Sequence, residues 1–350
     1  MKRILFCFLI SCISVRTYAQ ISSCAQTLRL AQSTYEQGRL HELPGLLESC
    51  LKNVGASGFN KDERVRAYKL LAMAYIYLEE PEKADEAMLN LLRTDPYFTP
   101  NPDVDPAEFI GLFGTFRTTP IYRLGVKLGG NASQPNLVSS NDVSTGSSNY
   151  KFGFGFAGGV VGEIPIQIQR FRKFTVSPEI QFQLSGFKNT TTVSQSTGDF
   201  IITGKQSLTY VSLPILVQYK IGKSKLNPYV ALGASGDYLL SSTLTLDETR
   251  PKFQAVQSQS VNNLTGYNKI NISAVVGAGV KFRLAGGYFL TEVRFKYGLS
   301  QISNKGNTYT NNIQVFDYKY ADGLYSINSL TLSVGYVQNF FNPKKLTRKK

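Results

Sequence analysis

The chain is 350 residues long, carries a formal net charge of +14, and is rich in Phe and Tyr while holding one His and no Trp. That length admits two or three domains. With His41 as the single imidazole, a His-rich metal cluster is excluded, and zinc would have too few His and Cys ligands in the mature chain.

Residues 1–19 read as an export signal. Lys2 and Arg3 form the charged start, Ile4 to Ile10 the apolar core, and Thr17-Tyr18-Ala19 the small-residue cleavage site before Gln20. The apolar core is too short to span a bilayer, and no later segment offers the roughly 18 apolar residues in a row that a membrane helix needs. Cys12 and Cys24 each end a lipoprotein-like box. The first comes too early, and Arg16 separates the second from the apolar core, so ordinary cleavage is expected and lipidation of Cys24 is the alternative.

Charge is divided unevenly. Residues 20–120 hold 10 bases and 14 acids, whereas residues 121–350 hold 25 bases and 10 acids. Such asymmetry points to two domains with different surroundings. An exported chain does not meet cytoplasmic nucleic acid, so no nucleic-acid partner is expected.

Residues 20–120 show helical periodicity and are expected to form a periplasmic helical domain. Leu28, Leu30, Ala31 and Tyr35 make one stripe, ending near Gly38; Leu43, Leu46, Leu47 and Leu51 make the next, ending near Gly55. Asn60 with Glu63 three residues on is a capping-box pattern opening a third helix. Pro81 opens a fourth, and Asp105-Pro106 reads as a cap with Pro at the first position of a fifth. In an antiparallel helix pair the start of one helix lies beside the end of the next. Cys24 and Cys50 occupy those ends, and an oxidising compartment predicts a disulfide between them.

Tyr68, Leu71, Ala72, Tyr75, Ala84, Met88, Leu91 and Pro96 resemble the tetratricopeptide pattern over one repeat. That resemblance implies a groove for a periplasmic or envelope protein partner. The same residues are also what any antiparallel helix pair buries.

From residue 121 the period changes to two. Strands are expected at 122–128, 150–163, 174–185, 208–221, 229–240, 269–284, 289–299 and 329–340. The clearest run sets Ile270, Ile272, Ala274, Val276, Ala278, Val280 and Phe282 on one face against Lys269, Asn271, Ser273, Lys281 and Arg283 on the other. Pro214 is expected to mark a bulge. Connections after odd-numbered strands are long and polar, at about 131–149, 187–204, 243–266 and 303–323; those after even-numbered strands are short. This alternation is the habit of a transmembrane barrel, with short turns and both chain ends in the periplasm.

The fold class expected is therefore α plus β. TPR-like helical hairpins precede an eight-stranded antiparallel up-and-down transmembrane β-barrel over 121–341, with 342–350 a basic periplasmic tail. Tyr210-Val211-Ser212-Leu213-Pro214, Asn227-Pro228-Tyr229-Val230-Ala231-Leu232-Gly233-Ala234 and Leu332-Ser333-Val334-Gly335-Tyr336 resemble the PorT-like outer-membrane barrel family. The resemblance implies an outer-membrane barrel, in some members serving protein secretion or gliding, with no catalytic residues to carry over.

An eight-stranded barrel is filled by its own side chains. The strand phases turn Arg123, Lys127, Lys151, Glu179, Asp237, Lys281, Arg283, Glu292, Arg294 and Lys296 inward. Buried charges must be paired or wetted. A network centred on Glu179 and Glu292, drawing on Arg123, Lys127, Lys281, Arg294 and Lys296, is expected to plug the lumen, with a narrow anion path as the alternative. Bases in the short turns (Arg170, Arg172, Lys173, Lys220, Lys223, Lys225) would face anionic headgroups. A lipid-hydrolysing enzyme would need a His beside a strand Ser. His41 lies in the helical region instead, so the chain is expected to be non-enzymatic and free of cofactors. Outer-membrane lipid and an envelope protein are the expected partners. The leading role is anchorage of a protein-interaction domain; the alternative is a channel or a barrel that binds through its long outer loops. Oligomeric state is not legible.

Overall fold

The computed structural model describes residues 23–346 apart from 54, 56, 140–146, 196–197, 223–225, 250–255, 285 and 308–322; the expected export signal lies outside the described residues. The chain divides into two compact units. One is Pro120–Phe340; the other joins the residues up to Thr119 to those from Phe341 onward.

The helical unit contains α1 (Ser23–Glu36), α2 (Leu43–Lys52), α3 (Lys61–Tyr77), α4 (Pro81–Thr94) and α5 (Ala107–Gly114). Local chemistry fixes the ends. Gly38 takes a left-handed φ of 77° after α1, which a β-carbon would disfavour. Asn60 caps α3 by accepting from the Glu63 amide at 2.9 Å, and the Glu63 carboxylate accepts from the Asn60 amide at 3.0 Å. Pro81 sits in the first turn of α4, where its missing N–H costs nothing. The start of α5 differs from the sequence expectation. Pro106 is itself the cap, and Asp105 is buried instead, accepting from the Asn101 amide at 2.8 Å and pairing with Lys69.

Small and aliphatic side chains close the core of this unit: Ala31, Leu43, Leu47, Ala67, Ala72, Met88, Leu91 and Phe109 are buried. Cys24 and Cys50 form a disulfide between the start of α1 and the end of α2, with Cα atoms 5.7 Å apart. Leu71 and Ala84 are also buried, while Tyr68 and Tyr75 lie half-buried against the core. Pro96 follows α4 and is likewise half-exposed. His41 sits exposed on a 3-10 turn between α1 and α2. Residues 341–346, the start of the expected basic tail, fall in the helical unit.

The second unit is one antiparallel sheet. Its strands are β1 (Tyr122–Ser139), β2 (Ser147–Pro165), β3 (Phe174–Gln195), β4 (Gly198–Lys220), β5 (Leu226–Thr249), β6 (Val256–Asn262), β7 (Ile270–Leu284), β8 (Gly287–Gly298) and β9 (Leu324–Phe340). Neighbours run β4-β3-β2-β1-β9-β8-β7-β5, and β4 pairs again with β5, so eight strands close on themselves. The ninth, β6, was not anticipated; it pairs with the far end of β5 beyond the point where β7 stops. The ring is completed by β1 on β9, from Tyr122↔Phe340 to Ser139↔Leu324. Glycines allow the close approach of neighbouring strands here. A β-carbon on Gly129 would lie 2.3 Å from the Leu332 carbonyl oxygen.

Apart from β7, the strands are longer than their sequence pattern indicated. What read as a polar connection over 187–204 is a hairpin that stays paired from Gly186↔Ser207 to Gln195↔Gly198. Pro214 makes no bulge, because the β4–β5 register runs through it unchanged. The bulge lies at Thr209/Tyr210, where β5 gains one residue. That extra residue reverses the phase of β5. Tyr229, Ala231, Ser235, Asp237 and Leu239 face inward before it; Ser242, Leu244, Leu246 and Glu248 face inward after it.

The character of the two faces changes at the same level. Near the short-turn end the outside is apolar, with Leu213, Ile215, Leu232, Ile272, Phe295 and Leu332 among many exposed side chains, and the inside is polar. Beyond the bulge apolar side chains turn inward (Ile202, Leu208, Leu244, Leu246) beside buried Gln206, Ser242 and Glu248, while Lys205, Ser207 and Thr243 face out. The barrel is thus inside-out over its short-turn half and mixed on both faces beyond it.

Candidate functional site

The candidate site is the polar lumen, and strand parity builds it. Glu292 and Arg294, two apart on β8, face the same way as Lys127 on β1 and Glu179 on β3. These four meet at one level. Arg294 donates from Nη1 to Glu179 Oε2 at 2.7 Å and from Nη2 to Oε1 at 2.6 Å, a two-pronged grip. Lys127 Nζ reaches Glu179 Oε1 at 2.9 Å and Glu292 Oε1 at 3.4 Å. Tyr229 donates its hydroxyl to Glu292 Oε2 at 2.5 Å, and Gln181 donates to Glu179 Oε2 at 2.6 Å. All four charged groups are buried, and their pairing offsets the cost of removing them from water.

A second level lies toward the short turns. Arg123 and Lys281 meet on Glu163, at 3.1 and 2.7 Å, and Lys281 also donates to Gln218 at 2.6 Å. The Lys281 ammonium sits over the rings of Tyr229 and Tyr288, 4.6 and 4.9 Å from their centroids. Sequence reasoning missed Glu163. The phase of β2 marks it, since Phe154, Phe156 and Val160 face out and Val161 faces in, which turns Glu163 inward.

The third level is Lys296 with Asp237, at 2.7 Å; Ser235 and Ser273 also donate to that carboxylate, at 2.8 and 3.2 Å. Lys151 and Arg283 were expected inside, but both are exposed. Lys151 lies beside the β2–β3 register shift, where the pleat no longer fixes the face, and Arg283 lies at the rim of β7.

Above the third level the lumen closes on an apolar layer. Phe187, Leu208, Leu239, Tyr267, Ile302 and Tyr325 pack together, with the Tyr267 and Tyr325 hydroxyls 2.5 Å apart. The segments around Tyr267 and Ile302 join this layer through backbone bonds to each other and to β9. Asn268 N donates to Ile302 O at 2.7 Å, and Ile302 N donates to Tyr325 O at 3.0 Å. Between the first and third levels there remains a cavity of about 40 Å³ beside Lys127, Arg294 and Lys296. That is room for water and little else. Chemically the lumen is a set of buried ion pairs joining β1, β2, β3, β5, β7 and β8. Among the described residues no three of His, Cys, Asp and Glu gather in a metal-binding group.

No curated protein matches the chain. Similar solved structures include OprG from Pseudomonas aeruginosa, 10% identical over 64% of this chain and 98% of its own, with a TM-score of 0.33. They also include Neisserial surface protein A, 14% identical over 62% and 97% with a TM-score of 0.27, and Ail of Yersinia pestis, 15% identical over 61% and 97% with a TM-score of 0.27. A family model described as an outer membrane protein beta-barrel domain matches residues 121–304, and the chain belongs to that outer-membrane β-barrel family.

Proposed function

We propose that the barrel crosses the outer membrane as a closed, non-conducting and non-catalytic anchor for a periplasmic protein-binding unit. The observation that carries this reading is the inside-out half of the barrel, whose apolar outside surrounds paired charges. On β9 the outward set runs from Leu330 to Phe340. Ten strand steps at a tilt near 40° give an apolar height of roughly 25 Å, the thickness an outer-membrane barrel requires. The stacked pair Tyr122–Phe340 and the tilted pair Phe174–Tyr219 lie at the short-turn end, where an interfacial aromatic girdle belongs.

Both chain ends enter the barrel at that same end, so a periplasmic helical unit follows from short turns facing the periplasm. Its TPR-like residues, Tyr68, Leu71, Ala72, Tyr75, Ala84, Met88, Leu91 and Pro96, support a role in binding an envelope protein. The PorT-like motifs favour a secretion or envelope-assembly setting for that partner. Crosslinking in cells from α3 and α4, read by mass spectrometry, tests this. Recovery of no protein partner from intact envelopes would sink it.

A second reading is favoured by the projecting sheet. β3, β4, β5 and β6 continue past the apolar belt with Ser, Thr, Gln and Lys outside. Such a ribbon suits a barrel that binds a ligand at the cell surface. Deleting residues 20–116 separates the readings, because the surface-binding role would survive and the anchoring role would not. Planar-bilayer recordings test closure. The ion-paired lumen predicts no sustained conductance, whereas steady anion-selective current would overturn it.

A further inference from the structure

Residues 341–346 are the part of the helical unit that the sequence did not foretell. They run antiparallel beside residues 115–117. Arg117 N donates to Lys344 O at 2.9 Å, Leu346 N donates to Thr115 O at 2.8 Å, and Phe116 pairs with Lys345 across the two segments. Side chains reinforce the pairing. The Arg117 guanidinium donates to Asn342 O at 2.7 Å, Phe341 meets Tyr97 edge to face with centroids 4.8 Å apart, and Lys345 pairs with Asp85 on α4. Phe116, beneath this segment, is buried in the helical core. The surface thus recognises an extended segment by backbone pairing, one aromatic ring and one cation.

We propose that this surface is an acceptor for the chain's own C-terminal segment, and that closure of β1 on β9 delivers the segment to it. Arg117 and Asn342 are 225 residues apart. Before the barrel closes, bringing them together means closing a very long loop. Once Tyr122 pairs with Phe340 and Ile121 N bonds Phe340 O at 2.9 Å, only a few residues on each side separate the partners. The scaling of loop closure with length raises their effective concentration on the order of a hundredfold. The helical unit therefore acquires its last element only when the barrel has formed, and an unassembled barrel leaves the acceptor surface around Phe116 and Tyr97 open.

The test is hydrogen exchange with peptide-level mass spectrometry on the full mature chain in detergent micelles, with the heat-modifiable gel shift reporting the barrel. Truncation after Phe340 is expected to raise exchange across residues 81–117 about tenfold or more, the signature of a locally unfolded element, while the strands stay protected. Truncation after residue 346 is expected to change nothing. Lys345→Glu is expected to give an intermediate loss, and Asp85→Lys with Lys345→Glu to restore protection. Unchanged exchange over 81–117 in the chain ending at Phe340 overturns the proposal. So does full protection of 81–117 while the barrel is still unfolded. Should the shorter chain fail to form a barrel, Lys345→Glu decides: an intact barrel with unaltered exchange at 81–117 overturns the proposal.

Discussion

Arg294 holds Glu179 through both terminal nitrogens, at 2.7 and 2.6 Å, across a lumen in which both side chains are buried. The two residues lie 115 apart in sequence and on strands that are not neighbours, so this bond ties opposite walls of the barrel. Removing Arg294 leaves the Glu179 and Glu292 carboxylates to share the single ammonium of Lys127. Arg294→Ala is expected to cost about 3–5 kcal/mol, the usual penalty for leaving a buried charge uncompensated. Replacing both, as Arg294→Met with Glu179→Leu, is expected to recover most of that loss. Urea midpoints of the heat-modifiable species in lipid vesicles measure both; equal losses in the single and double variants would contradict the pairing.

The Glu163 level makes a separate claim. Its carboxylate serves Arg123 and Lys281 together, and both cations also lie against the ring of Tyr288. Glu163→Gln is expected to leave two cations facing each other, lowering stability by about 2–4 kcal/mol, and to be partly rescued by Lys281→Met. The coupling energy from a double-mutant cycle is the readout, and a value near zero would remove Glu163 from the network.

The disulfide makes a prediction confined to the helical unit. Cys24 and Cys50 close a loop with a sequence separation of 26. Loop-closure entropy assigns this cross-link about 3.5 kcal/mol. Mild reductant is therefore expected to lower the denaturation midpoint of the helical unit, followed by proteolysis of α1 and α2, without altering the barrel's gel shift. An Ellman assay on the unreduced, unfolded chain should find neither thiol free.

How much of this was legible follows from where the two-residue period keeps one meaning. From the short turns to the bulge, apolar residues face out and polar ones in, and the pattern of Ile270 to Leu284 could be read directly. Past Leu240 the extra residue reverses the phase, and apolar residues such as Leu244 and Leu246 turn inward, so the same rule returned a polar loop instead of a strand. Neutral partners were also invisible: Tyr229, Gln181 and Gln218 complete the charge levels, and nothing local marks a Tyr or Gln as an acceptor or donor for a distant ion. Glu163 was readable from the parity of β2 but sits two residues from the Pro165 that ends the strand. The pairing of residues 115–117 with 344–346 has no sequence signature, because neither segment is a strand by composition.

That reversal of phase also locates the upper edge of the proposed lipid-facing belt. Leu232 on β5 is 67% exposed and lies within the apolar zone, whereas Thr243, on the same strand beyond the bulge, lies among outward polar residues. An arginine facing hydrocarbon near the midplane of a barrel costs about 2–4 kcal/mol, and near or beyond the interface about 0–1. Leu232→Arg is therefore expected to lower folding stability in lipid vesicles by the larger amount and Thr243→Arg by little or nothing. Nitroxides at the same positions supply an independent measure. The label at 232 should be relaxed by oxygen and shielded from a water-soluble nickel chelate, and the label at 243 should show the opposite. Equal accessibility of both sites to the chelate would mean that the apolar belt faces water or another protein, and the proposed crossing of the membrane would have to be abandoned.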